Sequence, residues 1–128
     1  MGQSNLVAVY GSLRNGLGNH RMLTTAEPYG DDVTEKEWQM FSLGAYPGII
    51  PGGESINIEV YKVNDLVFNS LDRLEGYPSF YNRRIINTKF GDAWIYFLNR
   101  PSYISDNKHF KHVEGGDWVD FIENKERF

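Results

Sequence analysis

The stretch VAVYGSLRNG, residues 7–16, carries signals for both the fold and the function. Its short apolar run predicts a buried strand that glycine stops at Gly11. A strand that runs into Gly-Ser-Leu can present consecutive backbone amides, which bind a carboxylate or a developing oxyanion. Gly11 also permits a close approach of the backbone to a ligand. A plain turn is the simpler interpretation, because Gly-Ser turns after strands are common.

The middle of the chain predicts a strand followed by a helix. INIEVYKV, residues 56–63, alternates in the manner of a half-buried strand. NDLVFNSLDRLEG, residues 64–76, then changes to the spacing of one helical face. Asn64 is a suitable N-cap, and Gly76 a suitable residue just past the helix end.

The other segments predict more strands than helices. The expected elements are a short helical turn within 18–27, a strand within 31–44, an irregular loop over 45–53, a hairpin over 82–100 turning at 90–92, and a helix within 115–128 capped by Asp117. Together they predict an α+β fold whose mixed or mostly antiparallel sheet can curl into a barrel. We expect residues 1–128 to form a single domain, because no repeat or long linker interrupts them.

Composition excludes several classes of function. The 128 residues include no cysteine, which excludes thiol catalysis, disulfides and cysteine metal sites. The formal charge of -4 argues against nucleic acid or anionic lipid as partners. No apolar run approaches the roughly 20 residues that span a bilayer, and no signal peptide is visible. We therefore expect a cytoplasmic protein, and nothing in the sequence indicates an oligomeric state.

Glu75 is the strongest candidate for an acid or base. It lies at the end of the predicted helix, where the partial negative charge of the helix terminus disfavours a carboxylate. The aromatic and aliphatic neighbours Leu74, Tyr77, Phe80 and Tyr81 can supply a low-dielectric setting that raises its pKa further. An exposed surface glutamate is the alternative.

Other polar residues carry weaker signals. Ser12 lacks the Gly-x-Ser-x-Gly pattern of a nucleophile elbow, so a serine hydrolase is not expected. His109 and His112 have no clear third ligand, so we expect no metal site. Arg14 and Arg83 are candidates for attracting a substrate carboxylate, with a surface role as the simpler interpretation. The Pro-Gly-rich loop at 42–52 can shape a pocket or simply connect two elements.

Several blocks of the chain together resemble the gamma-glutamyl cyclotransferase-like family, and the small bacterial members most. The blocks are VYGSLRNGLGNH, SLGAYPGIIPGGESINIEVYKV, LDRLEGYPSFYNRR, AWIYFLNRP and a trailing GGDW, in the order of the family and over roughly residues 6–119. The resemblance implies a mixed β-barrel with a few peripheral helices and a cavity at one end.

The resemblance also implies an activity, which is release of 5-oxoproline and an amine or amino acid from a gamma-glutamyl compound without a cofactor. In the family the Tyr-Gly-Ser-Leu turn holds the glutamyl part of the substrate through its backbone, which implies that role for Tyr10, Gly11, Ser12 and Leu13. The acid/base of the family corresponds to Glu75. Tyr81 and Tyr96 are further candidates for the pocket, with simple aromatic packing as the alternative for each.

Two functions therefore remain open. The first is an active cyclotransferase, and the second is a non-catalytic module that binds a small carboxylate or amine in the same pocket. We expect specificity for the leaving amine to reside in loops such as residues 44–53 and 101–114, although both can equally be plain surface loops.

Overall fold

The computed structural model describes residues 5–126, and the two ends of the predicted domain, residues 1–4 and 127–128, lie outside the described residues. The strands are β1 (Asn5–Val9), β2 (Glu27–Val33), β3 (Trp38–Ser42), β4 (Pro47–Pro51), β5 (Asn57–Val63), β6 (Tyr81–Thr88), β7 (Gly91–Leu98) and β8 (Lys111–His112). The α-helices are α1 (Asp65–Leu74), α2 (Ser102–Ser105) and α3 (Trp118–Glu126), and 3₁₀ turns span His20–Leu23 and Glu114–Gly116.

The strands form two sheets. The larger has the order β2-β5-β1-β7-β6, in which only the β1–β7 pair is parallel. The smaller has the order β4-β3-β8 and is antiparallel. The prediction of an α+β fold with a mixed, mostly antiparallel sheet is therefore confirmed.

The predicted barrel is wrong, since neither sheet closes on itself within residues 5–126. Prolines explain part of the reason. Pro28 lies in β2, and Pro47 and Pro51 lie at the two ends of β4, so these edge strands lack amide donors that closure would use. The ladder of β2 also shifts register between Pro28 and Gly30. The sheets meet through side chains instead: a Cβ added at Gly48 would lie 2.6 Å from the Leu98 side chain.

The core occupies both faces of the larger sheet. One cluster lies between the two sheets and includes Ala8, Trp38, Met40, Ile49, Ile58, Val60 and Ile95. The other includes Val7, Val9, Leu23, Tyr61, Val63, Phe68 and Leu71, so it joins the opposite face to α1 and the first 3₁₀ turn. The buried strand predicted at the start of the chain is confirmed as β1.

Two predictions, one of a loop and one of a half-buried strand, fail because tertiary packing overrides local pattern. Residues 47–51 are not an irregular loop but β4, whose Ile49 pairs with Met40 of β3; proline is compatible with such an edge strand. Strand β5 is not half-buried, because Ile58 and Val60 face one cluster while Tyr61 and Val63 face the other.

The predicted helices and the hairpin are confirmed with small shifts. The Asn64 side chain accepts a 2.9 Å hydrogen bond from the Val67 amide at the start of α1. The Asp117 side chain accepts one of 3.2 Å from the Asp120 amide at the start of α3. The β6–β7 hairpin turns at residues 89–90, slightly earlier than predicted, and Gly91 already pairs with Thr88.

Candidate active site

A cavity of about 430 Å³ opens where β1 and α1 both end. Its walls are residues 8–13 and 73–76 together with Asn19, Tyr46, Pro47, Phe80, Tyr81 and Tyr96. All seven site residues predicted from the sequence therefore line one cavity, although Glu75 lies more than sixty positions from the Gly-Ser turn.

The turn at the end of β1 lines this cavity and contains unused backbone donors. The amides of Gly11, Ser12 and Leu13 donate no hydrogen bond to any residue within 5–126. The Ser12 hydroxyl accepts a 2.9 Å hydrogen bond from the Asn19 side chain, which cannot act as a base. A Cβ added at Gly11 would lie 2.8 Å from Pro47, so this glycine permits the approach of β4 rather than of a ligand alone.

The other side of the same turn is held by an ion-pair network. Arg14 Nε lies 3.0 Å from Glu59 Oε2, and its Nη1 lies 2.8 Å from Asp117 Oδ1. The Asn15 amide and the Tyr61 hydroxyl each donate a 2.8 Å hydrogen bond to Glu59 Oε1. The Arg14 side chain is only 12% exposed, so neither a surface role nor capture of a substrate carboxylate fits it. The network stabilises the turn instead.

Glu75 occupies the C-cap of α1, and its position is fixed by the way that helix ends. Gly76, at φ +65°, follows it. The Gly76 amide bonds to the carbonyl of Arg73 at 3.2 Å and the Tyr77 amide to that of Asp72 at 2.9 Å, which is the Schellman pattern. The predicted helix end is thus confirmed.

The Glu75 carboxyl is chemically perturbed. Its side chain is partly buried and forms no hydrogen bond with another residue of the described chain. Burial raises its pKa from an ordinary 4.5 to about 7. Such a group exchanges a proton near neutral pH, which suits a general acid or base.

Three tyrosines surround this carboxyl and have their own protons engaged. The hydroxyl of Tyr10 donates to the Tyr96 carbonyl at 2.8 Å, that of Tyr81 to the Pro47 carbonyl at 2.6 Å, and that of Tyr96 to Asp72 Oδ1 at 2.7 Å. Burial is the main cause that raises the pKa of each tyrosine, and the charge of Glu75 raises it further. The hydrogen bond to Asp72 and the charge of Asp72 add to the effect at Tyr96. These hydroxyls therefore stay neutral and can still accept a hydrogen bond from a ligand.

Arg73 lines the cavity and was missed in the sequence analysis. Its side chain is exposed and forms no ion pair or hydrogen bond within the described residues. The available signal was its place two residues before Glu75, in the same last turn of α1. By contrast, Arg83 Nε lies 2.9 Å from Asp72 Oδ1, and the Arg83 guanidinium lies 4.2 Å from the centre of the Tyr77 ring. Arg83 and Tyr77 therefore belong to a structural cluster outside the cavity.

Two other features bear on the class of protein. No helix within residues 5–126 combines the length and apolar character needed to cross a membrane. The same part of the chain holds no cluster of three or more His, Asp or Glu side chains suited to a metal ion. His112 is one of the two histidines considered as metal ligands, and its Nε2 lies 2.8 Å from Glu54 Oε1.

Comparison with known proteins adds independent information. The family model described as gamma-glutamyl cyclotransferase, AIG2-like, matches residues 7–120. A protein of Vibrio cholerae serotype O1 is 40% identical over 114 residues, which cover 89% of this chain and 95% of the relative. The gamma-glutamylcyclotransferase family protein YtfP of Escherichia coli K12 is 38% identical, with 89% of this chain and 96% of that protein covered.

Two solved structures are similar to this chain over most of their length. An uncharacterized protein of Pyrococcus horikoshii superposes with a TM-score of 0.81 at 25% identity, covering 96% of this chain and 97% of the other. The solution structure of Escherichia coli ytfP superposes with a TM-score of 0.70 at 37% identity, covering 90% and 96%.

Proposed function

The chain belongs to the gamma-glutamyl cyclotransferase, AIG2-like family, and on that premise we propose that it releases 5-oxoproline and an amine or amino acid from a gamma-glutamyl compound. The observation that carries this proposal is that one cavity is lined both by Glu75, whose carboxyl has no hydrogen-bond partner within residues 5–126, and by Gly11, Ser12 and Leu13, whose amides are unused there. Glu75 supplies a base, and the amides of residues 11–13 supply hydrogen-bond donors to a negative charge.

In the proposed reaction the α-amine of the glutamyl group attacks its own γ-carbonyl carbon. The new C–N bond closes a five-membered ring, the original C–N bond breaks, and the departing amine takes up a proton. Neither water nor a covalent enzyme intermediate is needed. Holding the amine against the carbonyl is worth up to roughly 7–11 kcal/mol in favourable intramolecular systems. A cavity lined by aromatic rings suits that positioning.

The pKa of Glu75 matters because the proposed reaction transfers a proton from the substrate ammonium to this carboxylate. The substrate amine is an ammonium with a pKa of about 8, so transfer to an ordinary glutamate would cost roughly 5 kcal/mol. With the pKa of Glu75 at about 7, the same transfer costs only about 1.4 kcal/mol. Glu75 takes the ammonium proton and returns it to the departing amine.

The remaining walls have complementary roles in this proposal. The amides of residues 11–13 stabilise the oxyanion that develops on the γ-carbonyl. Arg73 pairs with the α-carboxylate of the glutamyl group, since its guanidinium is otherwise unpaired. The hydroxyl oxygens of Tyr10, Tyr81 and Tyr96 accept hydrogen bonds from the ammonium, because each hydroxyl proton is already donated elsewhere.

The test is an assay for 5-oxoproline with a panel of gamma-glutamyl dipeptides and gamma-glutamyl amines. We expect turnover of at least one class of substrate by the wild type. A protein that is thermally stabilised by these compounds but converts none of them would instead be a binding module. That result would contradict the proposed function.

A further inference from the structure

A second cleft, of about 310 Å³, lies beside the first cavity. It is lined by Ser79, Phe80, Leu98, Arg100 and Tyr103. Phe80 belongs to the walls of both spaces, so the two are separated by the width of one side chain. A substrate that fills the first cavity can therefore extend past Phe80 into the second.

Aromatic rings lead from one space to the other. The Phe80 ring lies 4.9 Å from that of Tyr81, in the wall of the first cavity, and 5.5 Å from that of Tyr103, in the wall of the second. Both pairs have edge-on geometry, at 90° and 83°. The Tyr103 side chain is 36% exposed, so part of its ring remains free for a ligand. Rings with exposed faces favour a flat apolar group as the occupant.

Arg100 adds a charge to this mainly apolar cleft. Its side chain is exposed and makes no ion pair or hydrogen bond with residues 5–126. Arg83 and Arg84 of the neighbouring strand, in contrast, are each paired with a carboxylate. A free guanidinium at the edge of an aromatic surface matches a ligand that carries a carboxylate close to a ring.

We propose that this second cleft is the subsite for the leaving group, and that it selects an aromatic amino acid whose carboxylate pairs with Arg100. The inference rests on the proposed function, which puts the glutamyl group in the first cavity. In the leaving amino acid, the side chain and the carboxylate are both attached to the carbon next to the scissile nitrogen. Phe80 and Tyr103 contact the side chain, while Arg100 binds the carboxylate.

Binding to the Glu75→Gln protein tests the subsite without turnover. The ligands for calorimetry are gamma-glutamyl-phenylalanine, gamma-glutamyl-alanine, which lacks the ring, and gamma-glutamyl-phenethylamine, which lacks the leaving-group carboxylate. We expect the first to bind at least about fivefold more tightly than either of the others. Equal affinities for all three would overturn the proposal.

Variants assign the two contacts. Adding Arg100→Gln to the Glu75→Gln protein should remove the preference for the carboxylate and keep the preference for the ring. Adding Tyr103→Leu to the same protein should remove the preference for the ring and keep the preference for the carboxylate. Lys108→Gln is the matched control, since it removes a positive charge from the same exposed segment but not from the cleft. If Lys108→Gln lowers affinity as much as Arg100→Gln, the charge acts at long range and the contact is wrong.

Turnover by the wild type separates the two proposals. If no panel compound yields 5-oxoproline while the binding preference persists, the cyclotransferase proposal fails, and with it the role of the cleft as a leaving-group subsite; the cleft then binds the aromatic amino acid part of a ligand that is not cleaved. If turnover occurs without any preference in binding or in kcat/KM, the subsite fails and the cyclotransferase proposal stands.

Discussion

Two glutamates flank the turn that follows β1, and they are held in opposite ways. Glu59 receives hydrogen bonds from Arg14, the Asn15 amide and the Tyr61 hydroxyl. Glu75, across the turn, has none within the described residues, and burial raises its pKa to about 7. A buried charge that is fully paired stabilises structure, whereas one left unpaired remains available for chemistry. One turn therefore carries a structural face and a reactive face.

The sharpest test of this contrast is Glu75→Gln. The substitution keeps the shape of the side chain and removes its ability to accept a proton. We expect the rate of 5-oxoproline formation to fall by about 10³-fold, within the range typical of a lost general acid/base. Steady-state assays on folded protein check the result. A variant with full activity would show that Glu75 is not the acid/base.

The counterpart on the structural face is Glu59→Gln. It leaves Arg14 with a single charged partner in a largely buried setting. We expect the free energy of unfolding to fall by about 2–4 kcal/mol, as when one partner of a buried pair is lost. Chemical denaturation measures it.

Glu37→Gln is the matched control for that change, because its ion pair with Arg84 is about half exposed. We expect it to cost less than about 1 kcal/mol. Equal losses in the two variants would mean that the network around Glu59 gives no special stability.

The pH dependence of stability distinguishes the same two glutamates. The folded pKa of Glu75 is about 7 and its ordinary value is 4.5, so between these values the folded state binds a proton that the unfolded state has released. Stability from this group therefore falls as pH rises through that window. We expect Glu75→Gln to raise the free energy of unfolding at pH 8 by on the order of 3 kcal/mol.

Near pH 4 the same variant should match the wild type, because the carboxyl is then protonated in both states. Denaturation curves at the two pH values provide the comparison. A variant that is equally stable to the wild type at pH 8 would show that the pKa of Glu75 is not raised.

The smallest effect is expected from Ser12→Ala. The Ser12 hydroxyl accepts a hydrogen bond from Asn19, while the proposed role of the turn belongs to its backbone. We expect kcat/KM to change by less than about fivefold, the scale of one ordinary hydrogen bond. A loss as large as that of Glu75→Gln would point to a serine nucleophile instead.

The sequence predicted correctly those features whose signals come from residues close together along the chain. The cap at Asn64, the glycine after Glu75 and the apolar run of β1 involve residues close along the chain, and all three predictions were right. Strand β4 was missed because Pro and Gly suggested a loop, and only its pairing with β3 makes it a strand. The absence of barrel closure depends likewise on how distant strands pair.

The sequence by itself determined strand β1, helix α1 and the β6–β7 hairpin, the perturbed position of Glu75 at a helix end and, through its ordered motifs, the family. Only the tertiary structure decided that the Glu75 carboxyl shares a cavity with residues 10–13, that Arg14 turns away from it, and that Arg73 and Phe80 complete its walls. The physical reason is that helix caps and strand periodicity arise from neighbouring residues. Burial, charge pairing and the direction of a hydroxyl proton arise from side chains that meet only after the chain has folded.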